Sequence, residues 1–322
     1  MTHENPHRSG FACLVGRPNV GKSTLTNALV GEKVAIMSAR PQTTRHTIRG
    51  IVQREDAQMV LVDTPGLHRP RTLLGERLNT LVLDTLSEVD VVAFCLPADQ
   101  KIGPGDRYIA NQLAPLMEGR RSAVPVVAVV TKADLVGRGQ LAEHLLAVDQ
   151  LARSIDRDWS AIVPVSAKGG YQVEELTEVL VAHLPEGPDL YPGGELTDEP
   201  EETMIAELVR EAALEGIRDE LPHSLAVVVE EIVPREGTGQ DQGTDGAAGI
   251  APLLDVRVNL FVERESQKGI IIGRGGSRLR EVGSQAREGI EKLLGARIYL
   301  DLHVKVAKDW QRDPKQLQRM GF

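Results

Sequence analysis

The sequence Gly16-Arg17-Pro18-Asn19-Val20-Gly21-Lys22-Ser23 decides the fold of the N-terminal half of the chain. The apolar run 11–15 before it predicts a buried strand, and the segment 24–30 after it predicts a helix. Glycines in such a turn let backbone N–H groups surround a phosphate, and the helix N-terminus that follows favours negative charge. Lys22 can reach the terminal phosphates, and Ser23 can hold Mg²⁺. The alternative is a chance turn, which would not explain why every fixed position of the motif is filled.

The composition is that of an ordinary globular chain. Of its 322 residues, 41% are hydrophobic and 26% are charged, and no apolar run is long enough to predict a membrane span. Residues 1–8 are polar, so they predict an N-terminal tail and not a secretory signal. Cys13 and Cys95 both lie in apolar runs, and we expect buried thiols in a reducing compartment and not a disulfide.

The net charge of −9 is unevenly distributed. Residues 189–252 carry 16 acidic and three basic side chains, whereas residues 253–322 carry 14 basic and nine acidic ones. The basic C-terminal part can therefore attract an anionic partner although the whole chain is acidic.

Two segments are expected to respond to a γ-phosphate. In the polar segment after the first helix, we expect Thr44 to move in and bind Mg²⁺, with Thr43 as the alternative. A predicted strand then runs into Asp63-Thr64-Pro65-Gly66. Asp63 can hold the Mg²⁺ shell through water, and the N–H of Gly66 can contact the γ-phosphate. Asp-x-x-Gly is a common turn, so its weight comes from its order and spacing after the first motif.

Two later motifs predict the choice of base. A predicted strand over 124–130 ends at Thr131-Lys132-Ala133-Asp134. The carboxylate of Asp134 can accept hydrogen bonds from N1–H and the exocyclic amine of guanine, which adenine does not offer in that arrangement. The stem of Lys132 can lie along the purine face. Another predicted strand ends at Ser166-Ala167-Lys168, whose backbone N–H groups can meet O6 of guanine.

These motifs, in this order, resemble the guanine-nucleotide motifs of the P-loop GTPases. The form of the first motif, with Gln42-Thr43-Thr44-Arg45-His46 after it, resembles the bacterial Era family, and the likeness covers essentially the whole chain. It implies an α/β P-loop GTPase domain over 9–186 with a mostly parallel, doubly wound sheet. It also implies hydrolysis of GTP to GDP with Mg²⁺, and Lys22, Thr44, Gly66 and Asn19 as catalytic residues. The expected metal ligands are Ser23, Thr44 and Asp63. The expected nucleotide-binding residues are Gly16, Arg17, Pro18, Asn19, Val20, Gly21, Lys22, Ser23, Thr24, Asp63, Thr64, Pro65, Gly66, Thr131, Lys132, Asp134, Ser166, Ala167 and Lys168.

Some positions depart from the usual GTPase pattern. Thr131 stands where most GTPases have Asn, but some families have Thr there, so guanine specificity through Asp134 should survive. Leu67 stands where many GTPases have a Gln that orients the attacking water. Hydrolysis should therefore be slow, or the water must be oriented in another way. Asn19 matches a position that helps to hold K⁺ in related bacterial GTPases; we hypothesise the same here, the alternative being that it only braces the loop. We expect His68 to be an exposed loop histidine and not a general base.

Composition predicts a linker over 187–200 and a second domain after it. Over 201–310 the order of helix, strand, strand, helix, Gly-x-x-Gly, helix and strand predicts an α+β type-2 KH domain, interrupted by a flexible insertion over 235–251. A C-terminal tail over 311–322 is expected. The glycines of Gly273-Arg274-Gly275-Gly276 let the backbone approach about four unpaired nucleotides closely, and nearby basic residues can contact phosphates. The alternative is a glycine turn with a solvated basic face. The expected RNA-binding residues are Lys268, Ile272, Gly273, Arg274, Gly275, Gly276, Arg278 and Arg280.

The resemblance to the Era family implies a particular RNA, the 3′ region of small-subunit (16S) rRNA, and a role in assembly of the 30S subunit from its precursor particle. It also implies a cytoplasmic location with a peripheral fraction at the inner face of the cell membrane; we expect a monomer. Two other classes of protein are alternatives. A metabolic enzyme would need a second catalytic constellation, which the sequence lacks. A membrane-associated signalling or cell-cycle GTPase without an RNA role would favour a basic amphipathic helix, which only 305–319 faintly suggests.

Overall fold

The computed structural model describes residues 6–35, 47–70, 72–118, 123–215, 224–235 and 253–322. Thr43, Thr44 and the expected insertion beyond Arg235 lie outside the described residues. The chain divides into two compact units, Met1–Asp198 and Glu199–Phe322. This division falls inside the segment 187–200 that composition predicts as a linker.

Unit 1 is built on a six-stranded sheet. Its strands are β1 (Arg8–Val15), β2 (Ile48–Gln53), β3 (Ala57–Asp63), β4 (Val91–Pro97), β5 (Val126–Thr131) and β6 (Ala161–Pro164). They lie in the order β2-β3-β1-β4-β5-β6, and each neighbouring pair is parallel except the antiparallel pair of β2 and β3. The predicted mostly parallel sheet is therefore confirmed.

Helices cover both faces of this sheet. They are α1 (Lys22–Val30), α2 (Leu73–Leu86), α3 (Pro104–Leu113), α4 (Arg138–Arg153) and α5 (Val173–Val181). Leucines of α1 and α5 belong to one buried cluster with one set of strand side chains. Apolar residues of α2, α3 and α4 belong to a second cluster with the alternate strand side chains. Successive strand residues point to opposite faces, so two helical layers are needed to bury them, as in a doubly wound domain.

The segment after α5 is hydrogen-bonded to β2 and β3 within unit 1. The side-chain amide of Gln58, which is fully buried in β3, accepts from the N–H groups of Leu190 (2.7 Å) and Tyr191 (2.8 Å) and donates to the carbonyl of Tyr191 (2.8 Å). The N–H of Ile51 in β2 donates to the carbonyl of Leu196 at 2.9 Å. The N-terminal part of the linker is therefore folded onto the sheet, which its Pro- and Gly-rich composition did not predict.

Unit 2 contains a three-stranded sheet with helices. Its elements are α6 (Glu201–Leu214), β7 (Ala226–Pro234), β8 (Leu253–Val262), α7 (Glu265–Ile272), α8 (Ser277–Leu294), β9 (Arg297–Val306) and α9 (Pro314–Arg319). The strand order is β7-β8-β9, with β7 antiparallel and β9 parallel to β8. Apolar residues of α6, α7 and α8 share one core with the sheet. This element order confirms the predicted KH fold.

The last residues of the chain pack into unit 2. Trp310 is fully buried, its indole N–H donates to the carbonyl of Ser224 at 2.9 Å, and its ring stacks on Phe322 with centroids 5.8 Å apart. Leu317 is also fully buried. The segment 311–322, expected as a tail, thus contributes to the core of this unit.

The basic amphipathic helix suggested over 305–319 does not form. Lys305 lies in β9, a 3₁₀ turn covers Trp310–Arg312, and only Pro314–Arg319 is α-helical. That interpretation of the sequence is wrong because β-alternation over 297–306 and Pro314 divide the segment between two elements.

Candidate nucleotide-binding and RNA-binding sites

Four predicted motifs follow the carboxyl ends of β1, β3, β5 and β6. These strands are parallel members of one sheet, so their carboxyl ends meet at a single edge. Ligands of open α/β sheets bind outside this edge, where loops from several strands converge. The fold therefore gathers the residues that the sequence analysis selected one motif at a time.

The phosphate loop holds a buried ammonium group. Lys22 is 7% exposed, and its Nζ donates to the carbonyl oxygens of Gly16 (3.3 Å) and Arg17 (3.2 Å). Burial lowers the pKa of Lys22 below its usual value, and the nearby carboxylate of Asp63 opposes that shift. An ammonium in these surroundings is strongly complementary to an anion, because an anion offsets the cost of burying positive charge. The geometry fits the terminal phosphates of a nucleotide.

Two of the expected metal ligands lie together. The hydroxyl of Ser23, at the start of α1, donates to Oδ2 of Asp63 at 2.7 Å, and Asp63 is fully buried at the end of β3. The hydroxyl of Thr64 donates to the carbonyl of Leu14 at 2.7 Å and fixes the loop that follows. Hydroxyl and carboxylate oxygens are the ligands that Mg²⁺ prefers, so this donor set fits that ion. Thr44, the third expected ligand, lies outside the described residues.

The segment after Asp63 lies against the phosphate loop. The N–H of Leu67 donates to the carbonyl of Gly16 at 3.1 Å, and the Leu67 side chain is 1% exposed within the core of unit 1. A leucine side chain buried in this way offers no hydrogen bond to a water molecule. Nδ1 of His68 lies 3.0 Å from the carbonyl of Gly66, and the residue is half-buried. The expectation that His68 is exposed is wrong, because this contact holds the ring against its own loop.

A cavity of about 530 Å³ lies beside the phosphate loop. The predicted residues that line it are Asn19, Gly21, Thr24, Thr131, Lys132, Asp134, Ala167 and Lys168. The carboxylate-bearing residue Asp134 is exposed, as recognition of an incoming base requires. The mixture of an acid, backbone groups and apolar wall is the chemistry that a guanine ring needs.

Buried hydrogen bonds join the loops around this cavity. The hydroxyl of Thr131 donates to the carbonyl of Val20 at 2.5 Å, and the N–H of Ala133 donates to the carbonyl of Val165 at 3.0 Å. The threonine at position 131 thus connects the loop after β5, which carries Asp134, to the phosphate loop. Ser166 is buried, and its hydroxyl accepts from the N–H of Gly169 at 3.0 Å, which stabilises the third loop.

The side chain of Arg17 points away from the cavity. Its guanidinium donates to Asp106 (2.7 Å) and Gln100 (3.1 Å), at the start of α3 and in the loop before it. Only the backbone of Arg17 is therefore placed to surround a phosphate. Sequence reasoning missed Asp106 because no motif contains it; Asp at the third position of α3 predicts only a helix start.

The Gly-x-x-Gly loop of unit 2 joins α7 to α8. Gly273 has φ of +71°, and a Cβ there would lie 2.8 Å from Cβ of Arg278, so only glycine fits. Gly275 and Gly276 also have positive φ, at +58° and +76°. Open space surrounds both of these glycines within the described residues. A strand of nucleic acid can therefore approach the backbone closely at this loop.

The basic side chains near this loop differ in their surroundings. Arg274 and Arg280 are exposed, and Lys268 is half-buried. Arg278 donates to the carbonyls of Ala213 (3.3 Å) and Glu215 at the end of α6, a structural partner that the sequence did not reveal. Among the predicted basic residues, Arg274 and Arg280 thus leave their guanidinium groups the most accessible to an anionic ligand.

The isoleucines before the loop alternate in burial. Ile271 is fully buried in the core of unit 2, Ile272 is half-buried against it, and Ile270 is 52% exposed. Ile271 anchors the loop, while its neighbours leave apolar surface beside the glycines. That surface is suited to unstacked bases.

The described part of the chain holds no cluster of three or more His, Cys, Asp or Glu side chains that could bind a metal ion. Both cysteines are buried and free, as expected. None of the described helices is long and apolar enough to cross a membrane.

A phosphate loop, an acidic base-recognition loop and a Gly-x-x-Gly loop define the class of this protein as a P-loop GTPase with a C-terminal KH domain. Residues 11–132 match the family described as 50S ribosome-binding GTPase, and residues 247–311 match the KH domain family. The chain is 63% identical to GTPase Era of Streptomyces coelicolor, over 99% of this chain and 96% of that protein. It is 61% identical to GTPase Era of Nocardioides sp., over 98% and 96% respectively.

Solved structures agree with these similarities. A crystal structure of Era in complex with MgGDPNP and nucleotides 1506–1542 of 16S ribosomal RNA matches with a TM-score of 0.87 and 35% identity, covering 98% of this chain and 99% of that one. A crystal structure of a variant of Aquifex aeolicus Era bound to GDP·AlF4⁻ matches with the same TM-score, 34% identity and the same coverage. The chain belongs to the GTPase Era family.

Proposed function

We propose that this GTPase binds the 3′ region of 16S rRNA through its KH unit and acts in assembly of the 30S subunit, with GTP and GDP setting its affinity for the RNA. The main support is a similarity over 98% of this chain to an Era protein crystallised with an rRNA fragment. The chain combines a nucleotide site with a Gly-x-x-Gly loop, as this function requires. The basic excess of residues 253–322 provides the charge that RNA requires.

The nucleotide chemistry follows from the site. The carboxylate of Asp134 accepts from N1–H and the amine of guanine, and the cradle of backbone N–H groups over 16–24 surrounds the phosphates. Lys22 Nζ donates to the β- and γ-phosphates. Water attacks the γ-phosphorus in line, the bond to the β–γ bridging oxygen breaks, and GDP keeps that oxygen. Gly66 N–H stabilises charge on the γ-phosphoryl oxygens.

Ser23, Asp63 and, outside the described residues, Thr44 would hold Mg²⁺, which supplies charge neutralisation on the phosphates when bound. Leu67 cannot orient the attacking water, because its side chain is buried in the core of unit 1. Hydrolysis is therefore slow unless another group positions the water.

Asn19 is the residue that would hold K⁺. It is exposed, has φ of +64° and lines the cavity beside the phosphates. We expect faster hydrolysis in K⁺ than in Na⁺ at equal ionic strength, and Asn19→Ala to abolish the difference. Equal rates of hydrolysis in both salts, with no effect of Asn19→Ala, would contradict the hypothesis that Asn19 holds K⁺.

The rRNA proposal is tested by crosslinking RNA to the protein in cells. Arg274→Ala and Arg280→Ala remove exposed charges beside the loop, and Gly273→Asp alters the loop itself. The matched control is Arg153→Ala, which removes the same charge from α4, where Arg153 pairs only with Asp149 among the described contacts. We expect reads at the 3′ end of 16S rRNA, lost in the loop variants and kept in the control.

The nucleotide dependence is tested with the same RNA in vitro. We expect its affinity to differ between the GDP-bound and the GDPNP-bound protein, since a switch needs differential affinity. Identical affinities would remove the switch from the proposal while leaving RNA binding intact.

Peripheral contact with the membrane, a cytoplasmic location and a monomeric state remain predictions. The helix that would have favoured a membrane-signalling role is not formed over 305–319. Sedimentation with anionic lipid vesicles tests the first prediction, and light scattering tests the third. Vesicle binding without enrichment of rRNA in cells would favour the signalling alternative.

A further inference from the structure

The side chain of Arg17 links the phosphate loop to α3. Its Nε donates to Oδ1 of Asp106 at 2.7 Å, and its Nη2 donates to Oε1 of Gln100 at 3.1 Å. Asp106 is 1% exposed, and its other carboxylate oxygen accepts from the N–H of Gly103 at 2.8 Å. This carboxylate is held by a guanidinium and a backbone N–H, and loss of the guanidinium would leave a buried charge uncompensated.

The fit around the Arg17 side chain is close. A Cβ on Gly105 would lie 2.6 Å from Cδ of Arg17 and 3.3 Å from its Cγ. Glycine at position 105 therefore leaves the room that the arginine stem occupies. Without this space the guanidinium could not reach Asp106 in its present position.

Arg17 is connected in turn to the catalytic lysine. The backbone carbonyl of Arg17 accepts from Lys22 Nζ at 3.2 Å. The same residue therefore contacts Lys22 through its backbone and Asp106 through its side chain. The anchor at Asp106 can therefore set the geometry of the phosphate loop, although it lies outside all nucleotide motifs.

The connection before α3 also contacts the base-recognition loop. The N–H of Ala98 donates to the carbonyl of Thr131 at 2.8 Å, and Asp99 pairs with Lys132 at 3.5 Å. One segment, residues 98–106, which includes the start of α3, thus reaches both loops that we assign to the nucleotide. It is positioned to fix the distance between the phosphate end and the base end of the site.

We propose that Arg17 is a positioning residue for the nucleotide, acting through its hydrogen bonds to Asp106 and Gln100. The interaction pre-forms the phosphate loop, so it contributes to binding of GDP and GTP alike. A contribution of this kind is uniform between ground state and transition state, and its loss raises KM while leaving kcat nearly unchanged.

Three substitutions test the proposal with Mg·GDP binding and GTP turnover. Arg17→Gln removes the charged donor, Asp106→Asn weakens the acceptor, and Gly105→Ala displaces the arginine without changing any charge. We expect each to weaken GDP binding about tenfold, as for loss of a charge-assisted hydrogen bond. KM for GTP should rise by a similar factor and kcat should stay within about twofold. The matched control, Arg153→Gln, breaks an exposed ion pair in α4 and should leave GDP affinity, KM and kcat unchanged.

The double variant Arg17→Gln/Asp106→Asn should bind GDP no worse than the weaker single variant, because both changes remove one interaction. Thermal unfolding without nucleotide monitors folding of every variant. Unchanged GDP affinity in Arg17→Gln and Gly105→Ala would overturn the proposal. Three other outcomes would also overturn it. One is a lower unfolding temperature with unchanged GDP affinity, and another is additive losses of GDP affinity in the double variant. The third is a fall in kcat without a rise in KM.

Discussion

At the scale of single residues, we propose that recognition of the base depends on the carboxylate of Asp134, which is exposed. Asp134→Asn replaces one acceptor by a donor, so the N1–H and amine of guanine lose their shared partner. We expect GDP binding to weaken about 100-fold, since two hydrogen bonds to a charged group are lost. Xanthosine diphosphate, which has a carbonyl in place of the amine, should bind the variant better than GDP. Competition against a fluorescent nucleotide measures both affinities.

The control for this prediction is Asp149→Asn in α4, which removes an equal charge paired only with Arg153 among the described contacts. Retention of full GDP affinity by Asp134→Asn would show that another group reads the base.

A buried histidine makes stability depend on pH. Burial lowers the pKa of His144 below its usual value of 6.5, although Asp106 and Asp99 oppose the shift. Below that value the unfolded chain binds a proton that the folded chain resists, so we expect stability to fall as the pH decreases below about 6.5. His144→Gln removes this group, and we expect a shallower dependence of the free energy of unfolding on pH. Denaturant unfolding at several pH values measures it, and an unchanged slope would contradict the assignment.

The residues that we assign to the nucleotide could be proposed from the sequence, whereas those that support them could not. Lys22, Asp63 and Asp134 stand in motifs whose order and spacing predict nucleotide chemistry. Asp106 and Gln58 support the same loops and strands through long-range contacts, and such contacts leave no local pattern in a sequence. Arg278 was predicted to contact phosphate from its place beside the glycine loop, but its bond to the end of α6 depends on tertiary packing.

At the scale of elements, the attachment of the linker to the sheet has a measurable effect on stability. Gln58→Ala deletes three hydrogen bonds to residues 190–191 and leaves a cavity in β3. We expect the free energy of unfolding to fall by about 1–2 kcal/mol. Faster cleavage within 187–198 during limited proteolysis should accompany it.

Gln140→Ala, an exposed change of the same type in α4, is the control and should change neither quantity. Normal stability of Gln58→Ala with unaltered cleavage would mean that the linker is held by its other contacts alone.

Element types followed from periodicity, while several ends and contacts did not. Strands β4 and β5 are continuous apolar runs that only a strand buried on both faces explains. The segment 311–322 gave too few apolar positions to predict packing, yet Trp310 and Phe322 stack within unit 2. Aromatic residues are rare here, with two tryptophans in the chain, so each one shapes the core around it.

At the scale of the whole molecule, the two tryptophans report on the two units separately. Trp159 packs edge-on against Phe94 in unit 1, with ring centroids 5.7 Å apart, and Trp310 is buried in unit 2. Trp310→Phe leaves a reporter in unit 1, and Trp159→Phe leaves one in unit 2. Nucleotide binds residues of unit 1 alone in our assignment, so it should stabilise that unit only. At about 100 times the dissociation constant, Mg·GDP should add about 2.7 kcal/mol to the stability of unit 1.

We therefore expect Mg·GDP to raise the unfolding temperature seen by Trp159 and to leave that seen by Trp310 unchanged. Fluorescence-detected thermal unfolding of the two variants makes the comparison, with calorimetry of the unsubstituted chain as a check for two transitions. The Asp134→Asn variant is the control for ligand binding, because the unfolding temperature of its unit 1 should no longer rise with Mg·GDP. If both tryptophans report the same upward shift, the two units unfold as one cooperative body, and binding energy from the nucleotide site reaches the KH unit directly.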